Sequence, residues 1–233
     1  MTTPTTQSTV TPANRTPTKG DRFQSTNPED FPVPYGKDED WRFTPLRRLR
    51  GLQKNDGAPA ARQQISVDTA GQAGVTYTEL PMDDERVGRA GLPVDRPAAE
   101  SWTHCEVADY ISIDKESVLT EPVTIVITGA GDDVTTYGTT VVDLGNFAEA
   151  VVVIRYEGDG VHSDNLEFVL GDGSQLTVVV WEDWGRTAVH LSNSHVLGGR
   201  DATVRHTSAI FGGDVVRALP HVRYAGPGGD AEM

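Results

Sequence analysis

The 233-residue chain carries 20 Lys and Arg against 34 Asp and Glu, a formal net charge of -14, and 37% hydrophobic residues. An acidic body repels phosphate backbones, which argues against nucleic acid as a partner; a single cysteine, Cys105, rules out an internal disulfide framework and cannot alone hold an iron–sulfur cluster or a structural zinc. The longest apolar runs, Val151–Ile154 and Val178–Trp181, are far too short to cross a bilayer, so no membrane partner and a cytoplasmic location are expected.

The charge is unevenly spread. Residues 1–50 hold 8 basic and 6 acidic side chains, and residues 51–233 hold 12 and 28, so the acidity lies in the body. Residues 1–20 are rich in Thr and Pro and lack an apolar core. They read as a disordered tail rather than a signal peptide. Residues 21–100 read as a small helical and irregular region. Phe31-Pro32-Val33-Pro34 is extended, because a residue before proline avoids the α region. Thr44 is placed to cap a short helix starting at Pro45, with Leu46 and Leu49 on one face, Arg48 and Arg50 in the last turn and Gly51 as terminator. The apolar stripe of that helix is expected to pack on its own domain, while Arg42, Arg47, Arg48 and Arg50 are possible contacts for an acidic partner. Gln53–Gln64 reads as loop, Ile65–Leu80 as two short strands, and Pro81–Glu100 as a polar segment.

Trp102 to Tyr110 begins the next ordered unit, and from Ile111 onward strand follows strand: Val123–Thr128, Thr139–Leu144, Ala150–Tyr156, Asn165–Leu170, Gln175–Trp181, Ala188–Leu191, Ala202–Thr207 and Val215–Arg217. Between them a Gly-Asp turn keeps returning, at Gly171-Asp172-Gly173, Gly198-Gly199-Arg200-Asp201, Gly212-Gly213-Asp214 and Gly228-Gly229-Asp230. No helix of crossover length fits in the gaps. A sandwich would show cleaner alternation than Val151-Val152-Val153-Ile154, so the pattern predicts a mainly β chain whose residues 101–233 form a right-handed parallel β-helix.

Little catalytic chemistry is legible. Gly36-Lys37 is followed by Asp38 rather than Ser or Thr, so there is no phosphate loop, and Gly173-Ser174-Gln175 is not a nucleophile elbow. His190 and His195 fall on opposite faces of a strand and make a poor metal pair. His162-x-Asp164 would share a face if extended, but after Gly158-Asp159-Gly160 it reads as a solvated loop; His206 and His221 lie near strand ends. Gly131-Asp132-Asp133 and Glu182-Asp183 are the carboxylates to check for a polysaccharide-cleaving β-helix enzyme, though a lone Gly-Asp-Asp is weak support. No catalytic, cofactor-binding or metal-ligating residue is assigned.

Two segments carry a family resemblance. Phe31–Pro34 with Asp40-Trp41-Arg42-Phe43-Thr44-Pro45-Leu46 resembles the N-terminal signature of SufD, and Asn165–Leu170 through Trp181-Glu182-Asp183-Trp184 and His190 to Gly213 resembles the β-helix core shared by SufB and SufD, scaffolds of the SUF system of iron–sulfur cluster assembly. The resemblance covers residues 21–52 and 101–233. It implies a non-enzymatic scaffold that pairs with SufB through its β-helix and works with the SufC ATPase through a C-terminal region. No cofactor is stably held; the cluster is assembled transiently on the complex. It also implies further rungs and a helical domain after residue 233, so the β-helix is expected to be incomplete, truncated at its C-terminus, and prone to aggregate when isolated. The family's interface histidine falls in that further part, and no residue role is carried over. The alternatives are a β-helix carbohydrate-active enzyme and a structural solenoid fragment.

Overall fold

The computed structural model describes residues 22–233; the tail expected over residues 1–20 lies outside the described residues. Three strands come first: β1 (Ala60–Arg62), β2 (Gln64–Asp68) and β3 (Val75–Pro81). A nine-residue helix follows, α1 (Arg96–His104). Then come β4 (Val107–Ile113), β5 (Val123–Thr128), β6 (Gly131–Leu144), β7 (Glu149–Gly158), β8 (Gly160–Leu170), β9 (Gln175–Trp184), β10 (Val189–Gly198), β11 (Thr203–Ile210), β12 (Val215–Tyr224) and β13 (Asp230–Glu232).

The strands alternate between two sheets. One runs in the order β12-β10-β8-β6-β4-β3, with β1 beside β6; the other runs β13-β11-β9-β7-β5-β2. From β4 onward every neighbouring pair is parallel, while β2 and β3 join antiparallel to β5 and β4 and close the first turn. The result is a parallel β-solenoid of about five turns, as the sequence pattern predicts.

Side-chain alternation explains why the apolar runs make strands rather than helices. In β7, Ala150, Val152, Ile154 and Tyr156 point inward, and the residues between them point to solvent. The facing strand β8 sends Leu166, Phe168 and Leu170 into the same interior. The run Val151–Ile154 therefore lacks visible alternation only because the outward positions are also apolar; Val151 is 39% exposed.

The Gly-Asp turns stack at one corner. The Asp172 N–H donates to Asn146 Oδ1, 26 residues earlier, and the Arg200 N–H donates to Asp172 Oδ1, 28 residues earlier. Each side chain thus satisfies a backbone donor of the next rung, which fixes the repeat length.

The outer face of the first sheet is covered. Trp41, Leu49 and Leu52 pack on the outward side chains Tyr137, Val161, Val189, Leu191 and Val215. The Arg217 guanidinium lies 3.9 Å over the Trp41 ring and pairs with Asp95 at 3.0 Å. Helix α1 lies on the same face; Ser101 Oγ donates to the backbone carbonyls of Gly138 and Ser163. Among the described residues nothing covers the outer face of the second sheet, where Trp181 and Phe211 are exposed with their rings 4.7 Å apart.

Three local expectations change. The helix expected at Pro45 is a single 3-10 turn over Leu46–Arg48 without a Thr44 cap, because Pro45 has ψ 76 and Arg50 and Gly51 turn left-handed at φ 50 and 93. Leu49 still packs on the chain's own solenoid. The loop expected over Gln53–Gln64 contains strand β1, and helix α1 begins within the segment read as polar, Pro81–Glu100. Its start is encoded by Asp95, whose carboxylate accepts from the Ala98 N–H, and by Pro97 in the first turn.

Candidate functional site: a polar cluster sealed in the solenoid corner

At the corner where β7 turns into β8, and one rung further where β9 turns towards β10, the interior changes from apolar to polar. The β7–β8 bend is a single residue, Asp159, between Gly158 at φ 83 and Gly160. With so short a bend, β8 begins at once, and its first inward positions are His162 and Asp164. The expected solvated loop is therefore a buried strand: every residue of β8 is buried, with His162 1% and Asp164 0% exposed. Register places His190 of β10 directly beside His162, and Glu182 of β9 directly beside Tyr156 of β7.

The contacts are dense. Tyr156 Oη donates to Asp164 Oδ2 at 2.5 Å. His190 Nδ1 lies 2.9 Å from Glu182 Oε2, and Trp184 Nε1 donates to the same oxygen at 2.6 Å. His162 Nδ1 lies 3.1 Å from the Thr136 carbonyl and 2.9 Å from Thr136 Oγ1. Asp164 bridges the two rings, with Oδ1 3.4 Å from His190 Nε2 and Oδ2 3.4 Å from His162 Nε2. The imidazoles stack with centroids 5.2 Å apart.

Burial and charge compete here. Burial alone would push the His190 imidazolium down, but the carboxylates of Glu182 and Asp164 outweigh it and hold its pKa up, at about 10. Burial would raise the Asp164 carboxyl, yet the neighbouring His190 holds it well below the usual carboxylate range. The Tyr156 hydroxyl is pushed well above 10, first by burial and then by the Asp164 and Glu182 charges. Three donor atoms, one each from His162, Asp164 and His190, lie within 4.8 Å of one another and form a possible metal-binding set.

The other singled-out residues lie elsewhere. His195 faces the opposite side of β10 from His190, as its five-residue offset predicts, and stacks on His221 at 4.9 Å. Burial, then His221 and Arg223, push its pKa down to about 3. Asp132 pairs with Arg50 at 2.5 Å, and Arg48 is bound to Asp214, so these two arginines are engaged by the chain's own carboxylates; Arg42 and Arg47 are exposed. Glu182 is inside the corner cluster, whereas Asp183 lies near Arg155 outside it. Cys105 is half-buried beside α1, and burial pushes its thiol up to about 11. The one signal that could have found the cluster is positional: His162 and His190 occupy the same place on successive rungs.

Fold and site together define a parallel β-solenoid protein with one sheltered outer face and a charged cluster closed into one corner. Residues 125–233 match the family model described as SUF system FeS cluster assembly, SufBD core domain. The chain is also 42% identical over 215 residues to the iron-sulfur cluster assembly SufBD family protein Rv1462 of Mycobacterium tuberculosis, a match that covers 92% of this chain and 54% of the relative. It is 41% identical, with the same coverage, to the SufBD family protein ML0594 of Mycobacterium leprae. The chain spans about half the length of the curated relatives it matches. No solved structure matches it. The matches support the SufB/SufD family.

Proposed function

We propose that this chain is a SufD-type scaffold subunit of iron–sulfur cluster assembly, without catalysis of its own, that pairs with SufB and works with the SufC ATPase in the cytoplasm. The observation that carries the reading is the coincidence of the core-domain match, residues 125–233, with the solenoid from β5 to β13. The N-terminal segment supports SufD over SufB: Trp41, in the stretch that resembles the SufD signature, is an anchor of the covered face. The cluster is cargo, built on the complex rather than held by this chain.

A carbohydrate-active enzyme is disfavoured by the placement of its carboxylates. Glu182 is 1% exposed inside the corner cluster, so it cannot meet a polysaccharide chain as acid or base. The scaffold reading is tested by co-expressing the tagged chain with SufB and SufC from the same source. Retention of SufB through purification supports it. Loss of SufB, under conditions where a full-length SufBD relative retains its partner, overturns it.

A further inference from the structure

We infer that the corner cluster is a binding site for one divalent first-row transition-metal ion, ligated by His162 Nε2, His190 Nε2 and the Asp164 carboxylate. The inference stands on the geometry of these side chains and does not depend on the scaffold reading. It departs from the expectation that the chain holds no metal stably.

The first argument is the orientation of the rings. The Thr136 carbonyl can only accept, so His162 Nδ1 carries the proton, and Nε2 presents a bare lone pair to the cluster. That Nε2 is buried and has no hydrogen-bond partner among the described residues. A buried polar atom left without a partner costs free energy unless something fills the place. His190 is set the same way: Nδ1 donates to Glu182, and Nε2 turns to Asp164. A proton on Nδ1 held by a carbonyl or carboxylate, with Nε2 directed inward, is how metal-ligating histidines are oriented by their neighbours. Tyr156 fixes Asp164 in the same manner.

The second argument is spacing. Metal–donor lengths of about 2.0–2.1 Å at tetrahedral angles put donor atoms about 3.4 Å apart. The His190 Nε2–Oδ1 and His162 Nε2–Oδ2 separations are both 3.4 Å, long for a hydrogen bond, and one donor atom from each residue lies within 4.8 Å of the others, close enough for one ion to reach all three. Two lone pairs also face each other between His190 Nε2 and Asp164 Oδ1, so a cation must sit there, either a proton or a metal. The third argument is charge. Asp164 and Glu182 bring two carboxylates into one closed corner, and a divalent ion with two neutral imidazoles balances them. Two imidazoles and a carboxylate, with no thiolate in the set, suit ferrous iron or zinc rather than an iron–sulfur cluster or a calcium site.

Since all three ligands are sealed from solvent, the ion enters as the rungs close, and binding is coupled to folding. The test is therefore refolding. The full chain is refolded from denaturant with Zn(II), with Fe(II) under argon, with Co(II), or with EDTA, then desalted and analysed for metal. About one ion per chain is expected with zinc or iron, together with a higher Tm than in EDTA. Co(II) should give visible d–d absorption without a thiolate charge-transfer band. His162→Gln should lower uptake roughly tenfold or more, and His195→Gln, on the outward face, should leave it unchanged. Uptake below about 0.1 ion per chain in the wild type with all three metals, folded or not, overturns the site. So does uptake that His162→Gln leaves intact, and the wild-type and cobalt measurements decide the matter even if that variant fails to fold.

Discussion

Glu167→Gln should change how stability depends on pH, by an amount the structure sets. The Glu167 carboxylate is 1% exposed on the outward face of β8, where it accepts the Gly88 N–H at 2.7 Å and the Ala90 N–H at 3.1 Å. Burial pushes its pKa from 4.5 up to about 7, against the pull of those two donors and Arg89. The folded state thus binds the proton more tightly than the unfolded chain. The favourable contribution is fully present below about pH 4.5 and is lost as pH rises through about 7. At about 1.36 kcal/mol per pKa unit, the interval is worth about 3 kcal/mol. His195, beside Glu167 in register, acts in the opposite sense: with its pKa pushed down to about 3, stability falls as pH drops below about 6.5. That contribution is common to wild type and variant and cancels in their difference. Urea unfolding of both proteins between about pH 5 and about pH 8 reads that difference directly. Glutamine loses acceptor strength at every pH, which shifts its curve by a constant. Relative to wild type, the variant should gain about 2–3 kcal/mol across that range. Parallel curves would refute the buried-carboxyl account and the seating of residues 88–90 on Glu167.

Three further outcomes follow from packing and burial. Leu49→Ala, at a site of 0% exposure under Trp41, should cost about 3 kcal/mol and lower the urea midpoint without changing the m-value; a loss below about 1 kcal/mol would mean that the N-terminal segment is not docked on the solenoid. Gly171→Ala would place a methyl group 2.6 Å from the Asn146 backbone nitrogen of the rung before and should cost about 1–3 kcal/mol by thermal unfolding, whereas Gly36→Ala, with nothing within 4 Å, should change stability little. Cys105, with its thiol pushed up to about 11 by burial, should react with an aromatic disulfide near pH 8 roughly tenfold or more slowly in the folded chain than in urea.

The solenoid was legible because its signals are local. Apolar β-branched runs separated by Gly-Asp turns specify strand and bend, and the Asn146–Asp172–Arg200 stack shows why the turn has to return. Strand ends were legible only in part: β8 and β12 run several residues beyond their apolar segments, because polar residues such as His162, Asp164 and His221 are carried along by pairing with the neighbouring rung. The corner cluster was not legible. Its members come from β6, β7, β8, β9 and β10, and nothing local marks a His-x-Asp after a Gly-Asp-Gly bend as interior; only the register brings His190 to His162. The short helix at Pro45 failed for the reverse reason. Its local signals were adequate, but tertiary contact rewards the seating of Leu49 and Leu52 and not the continuation of the helix.

The scaffold account is tested most directly by native mass spectrometry of this chain mixed with purified SufB, with and without SufC. A one-to-one heterodimer of the chain with SufB is the predicted result. Separate masses for the two proteins at concentrations where a full-length SufBD relative pairs would contradict it.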